Sequence, residues 1–102
     1  MLQENNTGSS PALGGDPLYN ERKLVVLNFA LQQNGFNADE LAAAFSLDAH
    51  NARMLMLKYT RQKLFTRHKT KGVFWYYISE KGRDRLRYFA NTMPEIFEVL
   101  TS

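Results

Sequence analysis

Seven cations stand in a stretch of 31 residues that contains no acid. From Ala49 to Ser79 the chain holds Arg53, Lys58, Arg61, Lys63, Arg67, Lys69 and Lys71, and neither Asp nor Glu. Aspartate and glutamate are confined to the first half and to the segment from Glu80 onward, so the formal charge of +3 understates how strongly charge is segregated. Such a stretch can hold a polyanion, because Lys and Arg that neutralise phosphates release the counterions condensed on a nucleic acid. The same pattern in a chain with no partner is a solvated basic face. A sequence pI near 9.3 fits a nucleic-acid binder without being peculiar to one.

Other chemistry finds little support. No phosphate-binding glycine loop, nucleophile elbow or His-Glu-x-x-His pattern occurs. His50 and His68 lie far apart without neighbouring carboxylates, and the chain has no cysteine, so neither a thiolate metal site nor a disulfide is expected. Asp39, Glu40 and Asp48 suit helix starts better than acid–base work. Catalysis, a metal and a cofactor are therefore not expected. No apolar run approaches the roughly 20 residues that cross a bilayer. The amino terminus lacks the basic-then-apolar order of a secretory signal. A cytoplasmic, nucleoid-associated protein is the expectation.

The elements that must position these cations can be read from spacing. Residues 1–17, rich in Asn, Gly, Ser and Pro and lacking Lys and Arg, read as a disordered tail, and residues 18–102 as one domain. A first helix is expected over 20–33, capped by Asn20, with Leu24, Leu27, Leu31 and Phe29 or Ala30 inward and Asn34-Gly35 as its terminator. Asn37-Ala-Asp-Glu40 has the form of a capping box and opens a short second helix with Leu41, Ala44 and Phe45 inward. After a tight connection at Ser46-Leu47, Asp48 caps a third helix over 49–63. Its 100° projection puts Ala52, Leu55, Met56 and Tyr59 on one face. His50, Met54, Leu57 and Arg61 fall opposite, flanked by Asn51, Arg53 and Lys58.

A strand over 64–69, a turn at Thr70-Lys-Gly72 and a return strand over 73–78 make a hairpin. In the return strand Val73, Trp75 and Tyr77 alternate with Phe74, Tyr76 and Ile78, and both sides are apolar enough to need at least partial cover. Trp75, Tyr76 and Tyr77 read as core rather than as a base-stacking platform. Ser79 then caps a fourth helix with Leu86, Phe89 and Ala90 inward and Arg83, Arg85 and Arg87 outside. Thr92 is the expected cap of a last helix whose Ile96, Phe97, Val99 and Leu100 call for cover, either on the first helix or across a twofold axis.

Three local sequences resemble the winged-helix transcriptional regulators of the MarR-, PadR- and ArsR-like families. Asn37-Ala-Asp-Glu-Leu-Ala-Ala-Ala-Phe45 is similar to their second helix. Arg61-Gln-Lys-Leu-Phe-Thr-Arg67 is similar to the passage from recognition helix into wing. Tyr77-Ile-Ser-Glu-Lys-Gly-Arg-Asp-Arg-Leu86 is similar to the entry into the helix after the wing, and is the most specific of the three. Two departures stand out: the glycine usual between recognition helix and wing is Lys63 here, and the terminal helices are shorter than in the larger relatives.

The resemblance implies an α+β, mostly α, winged helix-turn-helix: three helices, a two-stranded wing and one or two C-terminal helices. It also implies binding to double-stranded DNA, with the third helix in the major groove and the wing near the backbone or minor groove. His50, Asn51 and Arg53, near the start of that helix, are the candidates for reading base edges. Lys58, Arg61, Arg67, Lys69 and Lys71 are the candidate phosphate contacts.

Met54 and Leu57 fit a DNA face less simply. Contacts to thymine methyl groups, packing under the wing or a protein partner each account for them. A winged-helix interaction module in a transcription or replication complex is therefore the alternative reading. Recognition of palindromic sites calls for a homodimer, with the C-terminal helices as the expected interface.

Overall fold

The computed structural model describes residues 17–102, and the expected tail lies, apart from Pro17, outside the described residues. The order is α1 (Pro17–Leu31), α2 (Ala38–Phe45), α3 (Ala49–Arg61), β1 (Phe65–Thr70), β2 (Val73–Ile78), α4 (Glu80–Thr92) and α5 (Pro94–Thr101). This is the expected mostly helical α+β order. Among the described residues the sheet is a two-stranded antiparallel hairpin. Phe36 adds a single bridge to it: the Phe36 amide donates to the Tyr76 carbonyl at 3.1 Å, and the Tyr76 amide donates back at 2.7 Å.

α1 begins earlier than its sequence suggests. Pro17, with its φ already helical and no amide to satisfy, opens it, so Asn20 sits inside the helix rather than capping it. It also stops at Leu31 rather than residue 33. The amides of Gln32 and Gln33 donate to the carbonyls of Phe29 and Ala30, each at 3.1 Å, in the tighter i→i−3 pattern of a helix end. Gly35 follows in the left-handed conformation (φ +89°). The buried stripe is Leu24, Val26, Leu27 and Ala30, and Leu31 is 48% exposed. At the last position of the helix Leu31 only lines a shallow groove with Leu86, Ala90 and Phe97. Lys23 is also buried, its ammonium 5.8 Å from the Tyr59 ring centroid.

The caps of α2 and α3 form as expected. Asn37 Oδ1 accepts from the Glu40 amide at 2.8 Å while Glu40 Oε1 accepts from the Asn37 amide at 3.0 Å. Asp48 Oδ1 accepts from the Asn51 amide at 2.7 Å. Within α2, Leu41 is buried and Ala38, Ala42 and Phe45 pack on the core, but Ala44 is exposed, because it lies to one side of the stripe those four residues form. α3 ends at Arg61, two residues before the expected boundary, with Ala52, Met56 and Tyr59 buried and Leu55 packed against them. Phe36 sits at the centre of an aromatic cluster: its ring meets Phe29 edge-on at 5.3 Å and Phe65 at 5.8 Å.

The passage out of α3 is held by Ser79. Lys63 takes the left-handed conformation (φ +68°), and the chain reverses there into β1. Its carbonyl accepts from the Ser79 hydroxyl at 2.6 Å, while Ser79 Oγ itself accepts from the Gly82 amide at 3.0 Å as the cap of α4. The Ser79 amide donates to the Leu64 carbonyl at 3.0 Å. Gly82 is buried against this junction: a Cβ there would collide with the Leu64 carbonyl oxygen and lie 2.8 Å from Ile78 Cγ1.

α4 buries Leu86 and Phe89, and Arg87 pairs with Glu80 at 3.4 Å and with Asp84. Thr92 does not cap α5. It is the last residue of α4, and its hydroxyl donates to the Tyr88 carbonyl at 2.7 Å; Met93 holds the cap position with no side-chain bond. α5 packs against α1 and α4 through Phe97 and Leu100. Ile96 and Val99 remain open, Val99 at 74% exposure, because α5 lies on the surface with one face down.

Ser79→Ala removes a cap and an inter-element bond and should cost about 1–2 kcal/mol in urea unfolding. Gly82→Ala should destabilise by about 1–3 kcal/mol, since the crowding atom belongs to backbone and cannot move aside, even though alanine is the better helix former.

Candidate nucleic-acid interface

α3 and the hairpin carry all ten residues assigned to the interface. His50, Asn51, Arg53, Met54, Lys58 and Arg61 are exposed on α3, Leu57 is half-buried there, and Arg67, Lys69 and Lys71 are exposed on the wing. They do not form one patch. The structure separates them into an outward stripe, a cleft and a wing face.

The stripe follows from helical spacing. Met54, Leu57, Lys58 and Arg61 recur at i, i+3, i+4 and i+7 and, with Gln62, line an open groove of about 470 Å³. Met54 is 49% exposed. The stripe lies opposite Ala52, Met56 and Tyr59, whose burial fixes the rotation of the helix. Asn51 stands apart from the stripe: besides the backbone cap, its side-chain amide donates to Asp48 Oδ2 at 2.9 Å. That donor is engaged at the start of the helix.

Arg53 lies on the flank of α3 that faces the wing. It lines a cleft of about 240 Å³ together with Asn37 and Asp39 of the α2 start and Gly72, Val73 and Phe74 of the wing. Asp39 brings an acid into the lining, so the cleft is less purely basic than the sequence interval Ala49–Ser79 suggests.

The wing is set by its turn. Lys71 (φ +54°) and Gly72 (φ +80°) both take positive φ, the geometry of a two-residue type I′ turn, which pairs Thr70 with Val73. β1 therefore runs to Thr70, one residue beyond its expected end. The register pairs Lys69 with Phe74, Arg67 with Tyr76 and His68 with Trp75. Side-chain alternation then puts Arg67, Lys69 and Phe74 on one face and His68, Trp75 and Tyr77 on the other.

On the first face the Arg67 guanidinium lies 4.2 Å from the Phe74 ring centroid and the Lys69 ammonium 5.4 Å from it. On the second face His68 meets the Tyr77 ring edge-on at 5.6 Å. Cover on β2 is uneven. Tyr76 is core and Trp75 and Ile78 are half-buried, whereas Val73, Phe74 and Tyr77 are each about 40% exposed. A hairpin projecting past the helices has nothing to pack on near its tip.

Phe74, which supports two of the candidate cations, is absent from the residues the sequence singles out. Its alternation was legible, but its place across from Lys69 depends on a two-residue turn, and a three-residue reading of Thr70–Gly72 blurs that register. His50 and His68 lie on α3 and β1, and among the described residues no cluster of three His, Cys, Asp or Glu could hold a metal ion. Among those residues, no helix is long and apolar enough to cross a membrane.

Three helices, a two-stranded hairpin and a following helix entered through Ser-Glu-Lys-Gly-Arg constitute a winged-helix fold. Two solved structures share it. BpsR of Bordetella bronchiseptica, described for the regulation of its DNA binding by 6-hydroxynicotinic acid, matches with a TM-score of 0.67 at 15% identity, over 82% of this chain and 64% of that one. ZitR of Lactococcus lactis matches with a TM-score of 0.59 at 14% identity, over 90% of this chain and 62% of that one. The chain thus spans less than two thirds of either neighbour's length. No family model matches the chain, and no curated protein matches it in sequence.

Phe74→Leu should free Arg67 and Lys69 while leaving the hairpin paired. In proton NMR the Arg67 side-chain methylenes, shifted upfield by the Phe74 ring in the parent, should return to ordinary values, with the cross-strand amide contacts of β1 and β2 unchanged.

Proposed function

We propose that this protein binds double-stranded DNA as a winged-helix regulator of transcription, with α3 in the major groove and the wing along the phosphate backbone. One observation carries the reading: the outward stripe of α3 and the wing draw all their charge from a segment with seven cations and no acid. The winged-helix fold shared with BpsR, a protein whose DNA binding is regulated, supports it. Arg61, Arg67, Lys69 and Lys71 hold phosphates in this reading, with Lys58 beside them. The amino-terminal part of α3 goes deepest, so His50 and Arg53 reach base edges. Asn51 contributes through its carbonyl, since its amide serves Asp48.

Binding to duplex DNA should weaken with salt by about 0.9 log units of affinity per log unit of salt for each phosphate held, so about 3.6 for those four cations. Lys69→Ala and Lys71→Ala should each lower that slope by about 0.9 and weaken all sequences alike, as read by fluorescence anisotropy. Arg53→Ala should leave the slope and relax sequence preference. Absence of duplex binding at low salt excludes the reading.

A homodimer follows from the same proposal. Ile96 and Val99 stand open on α5 beside a groove of about 300 Å³ lined by Val25, Phe45, Leu47, Leu55 and Leu100. A second copy covering this region gives the twofold symmetry a palindromic site requires. Sedimentation should show a dimer that Val99→Asp converts to a monomer; a parent chain that is monomeric at high micromolar concentration overturns the dimer.

The alternative, a winged-helix protein-interaction module, draws on the exposure of Met54 and the half-burial of Leu57 on one face. In that case Leu57→Asp abolishes binding to the partner while charge reversal at Lys69 and Lys71 leaves it intact.

A further inference from the structure

We infer that Met54 and Leu57 read the C5-methyl groups of pyrimidines in the major groove, so that the preferred duplexes carry thymine, or 5-methylcytosine, opposite the middle of α3. The inference rests on the DNA-binding reading and specifies what that surface selects.

The first two positions of the outward stripe offer a base no hydrogen bond: residues 54 and 57 project there, and a thioether and an isobutyl group have no donor to give. Polar residues stand on either side along the helix, His50 one turn before Met54 and Lys58, Arg61 and Gln62 after Leu57. The Asn51 amide, the group that would donate to adenine N7 in a bidentate contact, is tied by one of its two hydrogens to Asp48 at the start of the helix. Arg53 faces the cleft beside the wing with Asn37 and Phe74. Lys58, Arg61 and Gln62 share the groove with Met54 and Leu57, and in the DNA-binding reading the two cations meet the backbone.

A base pair met by apolar atoms at its major-groove edge is distinguished by one apolar feature, the methyl group on C5 of thymine. Met54 suits that contact because an unbranched thioether adapts to an irregular surface. Packing under the wing does not account for the pair, since Phe74 and its neighbours line the cleft with Arg53 and not the groove with Met54. Nor is the groove suited to an ordinary protein helix. Its rim is cationic in a segment without acids, which is complementary to a polyanion.

The experiment compares alternating A·T duplexes made with thymine or with deoxyuridine, which differ only by the methyl group. A second pair, alternating G·C duplexes with cytosine or 5-methylcytosine, adds the methyl group back. All are measured by anisotropy at several salt concentrations. The parent chain should bind each methylated duplex about fourfold more tightly per contacted methyl, the factor expected for removing one methyl group from water. The salt slope should be the same across each pair.

Met54→Ala, which keeps a good helix former at an exposed site, should reduce the methyl preference, and the Met54→Ala/Leu57→Ala chain should lose it. Both should keep the parent's salt slope and its circular dichroism. Equal binding of thymine and deoxyuridine duplexes by the parent overturns the inference and leaves the DNA-binding reading intact. A methyl preference that survives in the double variant also overturns it. Failure of the parent to bind any duplex at low salt is the separate failure of the DNA-binding reading itself.

Discussion

The Ser79 hydroxyl is where the two halves of this fold are joined. It accepts from the Gly82 amide, which starts α4, and donates to the Lys63 carbonyl, which ends the turn out of α3. With the Ser79 amide on the Leu64 carbonyl, three bonds fix the base of the hairpin between two helices. The angle between wing and α3 is set there, because both strands enter and leave through this junction. Lys63 accepts a left-handed conformation that costs a non-glycine residue about 1 kcal/mol, and Gly82 gives up a side chain so that α4 can approach the Leu64 carbonyl. The Ser-x-Lys-Gly pattern therefore has a mechanical meaning apart from any family likeness.

From that junction outward the structure becomes less packed and more charged. The base of the hairpin belongs to the aromatic core through Phe65, Tyr76 and the bridge to Phe36. Its tip has no neighbours to bury against, so Val73 and Phe74 stay open and Phe74 serves as the support for Arg67 and Lys69. A flat ring beneath two cations limits where they can point without drawing them back from solvent. Exposure of an aromatic ring at a wing tip, otherwise a liability, is thereby put to use.

The basic interval Ala49–Ser79 is continuous in sequence but divided in space. Burial of Ala52, Met56 and Tyr59 turns one set of residues outward and leaves Arg53 on the flank toward the wing. The α2 start brings Asp39 to the same cleft, an acid from outside the interval. Met54 and Leu57 precede the cations Lys58 and Arg61 along the stripe, and in the DNA-binding reading this apolar pair adds a means of distinguishing one sequence from another that charge alone does not supply.

By itself the sequence determined the element order, the caps at Asn37, Asp48 and Ser79, the inward face of α3 and the basic segment. Each of these follows from local rules, a side chain bonding an amide three residues on or a repeat of 3.6. What it left open was decided by contacts between distant residues. α1 buries Val26 and leaves Leu31 out because the elements packed around it, α4, α5 and β2 together with Phe45 of α2 and Tyr59 of α3, define which positions lie inside. α5 starts without a side-chain cap because packing on α1 holds it. Phe74 meets Lys69 because a turn of two residues, not three, sets the register. The cation-rich stretch was legible from its letters, but its division into stripe, cleft and wing was not, since direction in space depends on what each element packs against.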